Sequence, residues 1–482
     1  MKSIRFLKKL PASVIFCLIT IAAYPQSYHA INGSPYAGVS SMYVNPASTV
    51  NSAYKWDLTI FSVQEVNSQT LGTINDGSLL NYTNAYTEFT NGNRSRFFHG
   101  NLDITLFNAR IKLDQKSALA FGIRGRAFIN SKIMPFVYKD SLSSTQSFLY
   151  ENKVENFLQG FGTHSGWVEI NFNYSRILKQ TYNTRLTAGA TIAYTRGISG
   201  AHANVVHATY LEEKDNNNNN FYILTGGSAL AEYSSNYDSL SDYKSVAGNT
   251  KAFLKDTKSG FNLNIGAEYL FKNERPYDDD ALTSENYDWK IGISILDIGK
   301  NKYRPINGSF YAGNPKFTTS DTSLINNLNN ANSLSAVRDT LANYFNTLDS
   351  LSSPFTISNP TRLTVSVDKN LGNHFYINGQ LNINFYSTDP TAKLRTREIN
   401  LLTITPRWET NKFGLYLPVQ YNTQGQIWVG GAAKLGPLLI GFHSLDFYKW
   451  FKVHTQTYNG GGYIMLNIHP FRKKEYDGID CP

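Results

Sequence analysis

Hydrophobic and polar residues alternate along much of this chain, in runs of about ten. Period-two alternation marks strands with one apolar and one wet face. Val168, Ile170, Phe172 and Tyr174 share one face, and Glu169, Asn171, Asn173 and Ser175 the other. Leu119, Phe121 and Ile123 oppose Gly122, Arg124 and Arg126. The pattern returns with Phe261, Leu263 and Ile265 against Asn262, Asn264 and Glu268, and with Phe413, Leu415 and Leu417. Phe375 and Phe385 close the two ends of one apolar face, ten residues apart. A tilted strand of that length covers roughly 25 Å of height, the thickness of an outer-membrane apolar band. Strands of soluble sandwiches run to about 5–6 residues. The prediction is an all-β fold, a transmembrane antiparallel β-barrel.

The connections alternate in length. Short turns are expected near 113–117, 178–183, 370–373, 408–411 and 434–437, with 271–286 a longer member of the set. Long polar insertions fill 67–99, 131–163, 196–258 and 298–359. Bacterial barrels pair short periplasmic turns with long external loops. Fourteen strands result, near 54–66, 101–112, 118–130, 164–177, 184–195, 258–271, 287–297, 361–369, 373–387, 399–408, 411–423, 426–434, 437–446 and 457–469. The 196–258 insertion has room for one more hairpin, which would stand outside the membrane or bring the count to sixteen. Leu334, Val337, Leu341, Phe345 and Leu348 are spaced as an amphipathic helix, either packed on loop neighbours or lying over the pore mouth.

Composition agrees with this reading. Charged residues make up 17%, against about 25% in soluble domains. Aromatics reach 14%, yet mean hydropathy is only −0.33, as a wet lumen and long loops require. Lys2, Arg5, Lys8 and Lys9 precede the apolar run Leu10–Ala23, the layout of a cleaved secretory signal over 1–25. Without those four cations, 41 of the 45 basic residues remain against 36 acidic ones. A surplus so small and dispersed gives no case for nucleic acid. Past Cys17, inside that signal, the one cysteine is Cys481, so neither an internal disulfide nor a thiolate metal cluster is expected.

The chemistry offered is that of a wall rather than a catalyst. Asp103, Arg124, Arg126, Glu169, Glu268, Lys290, Asp368 and Arg407 fall on inward faces. Charges of mixed sign there are expected to pair and stiffen the barrel. The other reading is that Arg124 and Arg126 line a path or hold an anionic head group. His202 and His207 lack the further ligands of a metal site. Asp278, Asp279 and Asp280 read as a solvated turn. Gly162-Thr163-His164-Ser165-Gly166 places His beside Ser with no orienting third group. No cofactor and no enzymatic activity are expected.

Gly33-Ser34-Pro35-Tyr36-Ala37-Gly38 followed by Asn45-Pro46-Ala47 resembles the start of FadL-like outer-membrane barrels. Ile295-Leu296-Asp297-Ile298-Gly299 is similar to a strand-end motif of such barrels in Bacteroidetes-type bacteria. That likeness implies fourteen strands around an N-terminal hatch carrying Asn45, Pro46 and Ala47. The tail Tyr476–Pro482 resembles the opening of a linker to an OmpA-like domain. The division expected is signal 1–25, hatch 26–53, barrel 54–470 and periplasmic tail 471–482. The function expected is passage of small molecules, hydrophobic ones included, across the outer membrane. The rival is a barrel serving secretion, surface attachment or envelope assembly. Partners would be outer-membrane lipids, a small substrate, or envelope and secretion proteins.

Overall fold

The computed structural model describes residues 29–470, except 76–85, 143, 154–156, 215, 217, 219, 237–244, 256, 274–281, 307, 317–323, 325–326, 329, 332–333, 386–393, 424, 445–455 and 458. Signal, tail and the Asp278–Asp280 turn lie outside the described residues.

Fourteen strands form the wall: β1 (Trp56–Gln69), β2 (Gly92–Lys112), β3 (Ser117–Tyr138), β4 (Phe157–Gln180), β5 (Thr184–Lys214), β6 (Lys258–Phe271) and β7 (Trp289–Tyr303), then β8 (Arg362–Gly372), β9 (Phe375–Asn384), β10 (Leu401–Glu409), β11 (Phe413–Tyr416 and Val419–Asn422), β12 (Ile427–Leu435), β13 (Leu438–Ser444) and β14 (Gly460–Ile468). Each pairs antiparallel with the next. Pairing of β1 with β14, from Leu58↔Ile468 to Asn67↔Gly460, closes the barrel and leaves it no open edge. β11 is broken at Leu417-Pro418, where proline has no N–H to give. Even so, Leu417 N–H donates to the Pro406 carbonyl at 3.1 Å.

Facing follows the alternation. Phe172, Phe261, Phe375, Leu381, Phe385 and Leu415 are exposed on the outside. Asn171, Asn173, Asn262, Asn264, Asn378 and Asn382 are buried inside. Short turns gather at one end. The tightest, between β8 and β9, takes positive φ at Gly372, Asn373 and His374, residues that tolerate it.

At the other end the insertions are largely β-structure, which their sequence does not announce. β2 to β5 run on to 21, 22, 24 and 31 residues, about two to three times what a bilayer needs. The strand Asn220–Tyr233 pairs with the far half of β5, so the extra hairpin stands above the band and the count stays at fourteen. Phe310–Pro315 and Phe345–Ser350 continue that sheet. The expected helix stops at Leu341, because Phe345–Ser350 finds strand partners. Val337, Leu341, Phe345 and Leu348 all join one cluster with Phe310 and Ala312, so this segment packs on its neighbours.

Candidate functional site: a plugged, charged lumen

Residues 29–53 lie inside the barrel at the short-turn end. Their Gly and Pro content forbids a strand, and they form three short 3-10 turns: His29–Ile31, Gly38–Tyr43 and Pro46–Thr49. Asn45 caps the third: its side-chain oxygen accepts from Ala47 N–H at 3.0 Å, while Pro46 presets φ. Val39, Met42 and Tyr43 pack on Ala120 of β3. Ala30, Ile31 and Ala37 pack on Tyr416, Leu439, Tyr463 and Met465.

The wall receives this plug at glycines. Gly122, Gly189, Gly266 and Gly292 have no room for a methyl group, because Met42 and Tyr43, the Pro46–Ala47 backbone and Asn45 occupy that space. Polar bonds then fix the register. Asn45 Nδ2 donates to the Ala267 carbonyl at 2.9 Å, and Asn51 Nδ2 to Glu268 at 2.7 Å. Ser48 Oγ donates to the same carboxylate at 2.5 Å. Tyr43 Oη donates to Asn108 at 2.8 Å, and Ser34 Oγ to Glu409 at 2.7 Å. Lys290 Nζ donates to the Gly33 carbonyl.

The inward charges singled out from sequence fall into three groups. Arg124 and Arg126 anchor the first. Arg124 meets Glu169 at 2.5 Å, and Arg126 meets Asp103 at 2.9 Å and Asp297 at 2.5 Å. Arg362 joins Asp297 at 2.5 Å and Glu398 at 2.7 Å. Tyr43 of the plug lies under Arg124, 3.8 Å from ring centre to guanidinium. The second group is Arg407 with Asp368 at 2.6 Å and Glu409 at 2.7 Å. Tyr287 also donates to Asp368. Glu268 stands apart from both and holds the plug.

Sequence reading passed over Asp297, Arg362, Glu398 and Glu409 as lumen residues, and with them the pair Arg110–Asp57 at 2.6 Å. Asp297 had a signal: Ile295-Leu296 breaks the alternation just before it. A bulge sits there, with Asp297 at φ 58°, and it aims the carboxylate at arginines from β3 and β8. Glu398 lies on an irregular segment, where no periodicity could assign its face.

His202 hydrogen-bonds Thr163 at 3.3 Å, and His207 stacks on Phe157 at 4.5 Å. His164 and Ser165 are adjacent in a strand and so point to opposite faces. His164 contacts Ser199 at 2.8 Å, whereas Ser165 bonds Tyr303 at 2.6 Å.

Between plug and wall remains a cavity of about 40 Å³, lined among others by Tyr43, Asn45, Asp103, Arg124, Arg362 and Glu398. That is space for two or three waters.

Residues 46–443 match the family described as "Family of unknown function (DUF5723)". No curated protein matches the chain. Among solved structures it is similar to a FadL homologue of Pseudomonas aeruginosa, with 10% identity and a TM-score of 0.43 over 93% of this chain and 98% of that one. It is also similar to the toluene transporter TodX of Pseudomonas putida, with 11% identity and a TM-score of 0.37 over 90% and 95%.

Proposed function

The chain belongs to the DUF5723 family, whose description carries no activity, and from its own geometry we propose an outer-membrane barrel that passes a small polar solute when its plug yields. One observation carries this: among the described residues a plug held by polar bonds and ion pairs occupies the lower lumen, around a cavity of about 40 Å³. Plug and wall meet through hydrogen bonds, glycine-lined grooves and small separate apolar clusters, not through one continuous core. Contacts of that kind can exchange with water, so the plug can shift without unfolding the wall.

The lining favours polar cargo over hydrophobic cargo. A hydrocarbon beside Arg124, Arg362 and Glu398 would strip water from charges and offer no bond in return. The secretory signal and the apolar belt with aromatic ends support the outer-membrane location. No part of the reading calls for a cofactor or a catalytic step.

A second reading has its own support. β2 to β5 project well past the apolar belt and carry a packed sheet at their tips. A surface-attachment or assembly role would use that projection, with a partner protein bound above the membrane.

Planar-bilayer conductance separates the two. Deleting residues 28–48 should leave a barrel that inserts and conducts several-fold more than the intact chain. Normal insertion with unchanged conductance would remove the plug as a barrier and leave the second reading standing.

A further inference from the structure

The inward face of the wall is not uniform. On β2 to β4 and on β7 and β8 the inward charges find one another. On β9 to β11 a neutral stretch lies between the two ion-pair groups. Alternation fixes its facing. Ile377, Leu381, Ile404 and Val419 are exposed outside, while Asn378, Gln380, Thr403, Thr405 and Gln420 are at most 3% exposed. Register sets these five side by side. Ser366, Gln380, Thr403, Gln420 and Trp428 form one row across β8 to β12, each paired with the next. Asn378 and Thr405 pair in the next inward row towards the short-turn end.

Thr403, Thr405 and Gln420 make no side-chain hydrogen bond among the described residues. Both hydroxyls and both ends of the Gln420 amide are left without a partner. Gln380 Nε2 donates to Asn382 at 3.1 Å and Asn378 Nδ2 to the Val367 carbonyl at 3.5 Å, and each residue keeps an unpaired oxygen. Buried polar atoms without a bond are costly and uncommon. A wall built only to be solid would carry valine and leucine at these positions. Polar groups gathered in this way fit a guest that brings donors and acceptors of its own.

Two features say which guest. The patch itself carries no charge, and the charges nearest to it already have partners: Arg407 has Asp368 and Glu409, and Arg362 has Asp297 and Glu398. An ion would lose its water here and meet no free counter-charge. The unpaired atoms are also of both kinds, a donor at Gln420 Nε2, acceptors at the amide oxygens, and threonine hydroxyls that serve as either. A neutral molecule with several hydroxyls can satisfy neighbouring residues of both kinds at once. The row starts at the cavity between plug and wall, which Ser366 lines. The plug covers its lower edge, where Gly33 has no room for a methyl group against Asn378. A plug that shifts therefore widens the cavity towards the row.

We propose that Gln380, Thr403, Thr405 and Gln420 form a binding step for an uncharged polyhydroxy solute, a sugar or polyol, on the inner face of β9 to β11. The inference rests on the channel reading above and names its cargo and its side of the lumen.

The full chain is refolded into phosphatidylcholine vesicles, insertion is read from heat-modifiable gel mobility, and entry of radiolabelled arabinose and of its carboxylate, arabonate, is timed. Arabinose should enter at least roughly 5-fold faster than arabonate. The variant T403V/T405V/Q420L, close in shape but unable to bond, should insert normally and slow arabinose at least roughly 10-fold, with arabonate unchanged. T403S/T405S keeps both hydroxyls and should keep the arabinose rate. If the triple variant fails to insert, Q420L alone decides, with arabinose slowed about 3-fold or more. An arabinose rate untouched by these substitutions overturns the site and leaves the channel reading intact. So does equal entry of the two probes, or a loss in T403S/T405S as large as in the triple variant. Exclusion of both probes by a fully inserted chain overturns the channel reading and the inference with it.

Discussion

β5 is two different strands in one. From Thr184 to Thr195 it alternates, Ile192 out and Thr191 in, with Gly189 seating the plug. From Arg196 to Lys214 it bulges, takes positive φ at His207, and pairs with Asn220–Tyr233 above the band. The lower part has a solvent on each face that punishes error, hydrocarbon outside and a packed plug inside. The upper part has water within reach of both faces. Strict alternation is therefore a record of the surroundings, not of strand formation itself.

The sharpest test compares ion pairs from the two regions. Arg407 is buried between Asp368 and Glu409. Arg407→Ala leaves two carboxylates without their guanidinium and should cost about 3–5 kcal/mol in a urea folding titration. In the upper region Lys139 meets Glu151 at 2.9 Å with side chains 51% and 33% exposed. Lys139→Ala should cost at most about 1 kcal/mol there. Similar losses at both sites would mean that the lumen is as wet as the surface.

A second comparison uses two leucines of almost equal exposure, Leu415 at 60% and Leu211 at 58%. Leu415 lies in the belt and Leu211 on the far half of β5. Leu415→Arg should cost about 2–4 kcal/mol, and Leu211→Arg about 0.5 kcal/mol or less. Refolding into vesicles followed by denaturant titration reads both. Equal costs would show that the belt ends elsewhere. Asn382→Lys, on the inward face beside Leu381, should be far milder than Leu415→Arg.

A third comparison sets the plug against the wall that seats it. Gly189→Val crowds the Pro46–Ala47 backbone, and overpacking of that kind costs about 1–3 kcal/mol. The wall itself keeps its pairing, so conductance should rise while the heat-modifiable gel shift is unchanged. A silent Gly189→Val would mean that the plug does not rest against β5.

How much of this was legible follows the same division. All fourteen wall strands, and the inward facing of Arg124, Glu169 and Glu268, could be read because lipid and lumen enforce period two. The extended parts of β2 to β5 could not, because nothing in water requires their outward residues to be apolar. Within the lumen, a charge could be placed on a face, but not matched to a partner. Arg126 and Arg362 lie 236 positions apart in sequence and meet only through Asp297, which a bulge turns inward. The Gly/Pro punctuation of 33–46 told that this segment forms no strand. Gly122, Gly189 and Gly292 gave no hint that they were its sockets, since a glycine in a strand marks close approach without naming what approaches.

The plug touches both sides of the barrel seam. Val39 N–H donates to Asp57 of β1 at 2.5 Å, and Ser40 Oγ contacts Met465 of β14 at 3.1 Å. Tyr54, where the plug leads into β1, accepts from Lys434 at 2.8 Å and stacks on His469 at 3.9 Å. A binding site split between the first and the last strand is complete only when those strands are zipped. Seating the segment and closing the cylinder are therefore one cooperative event during biogenesis, each raising the population of the other. A nascent chain with residues 34–51 out of place would linger as an open, curled sheet, and the segment that obstructs the finished barrel is the one that helps it to finish.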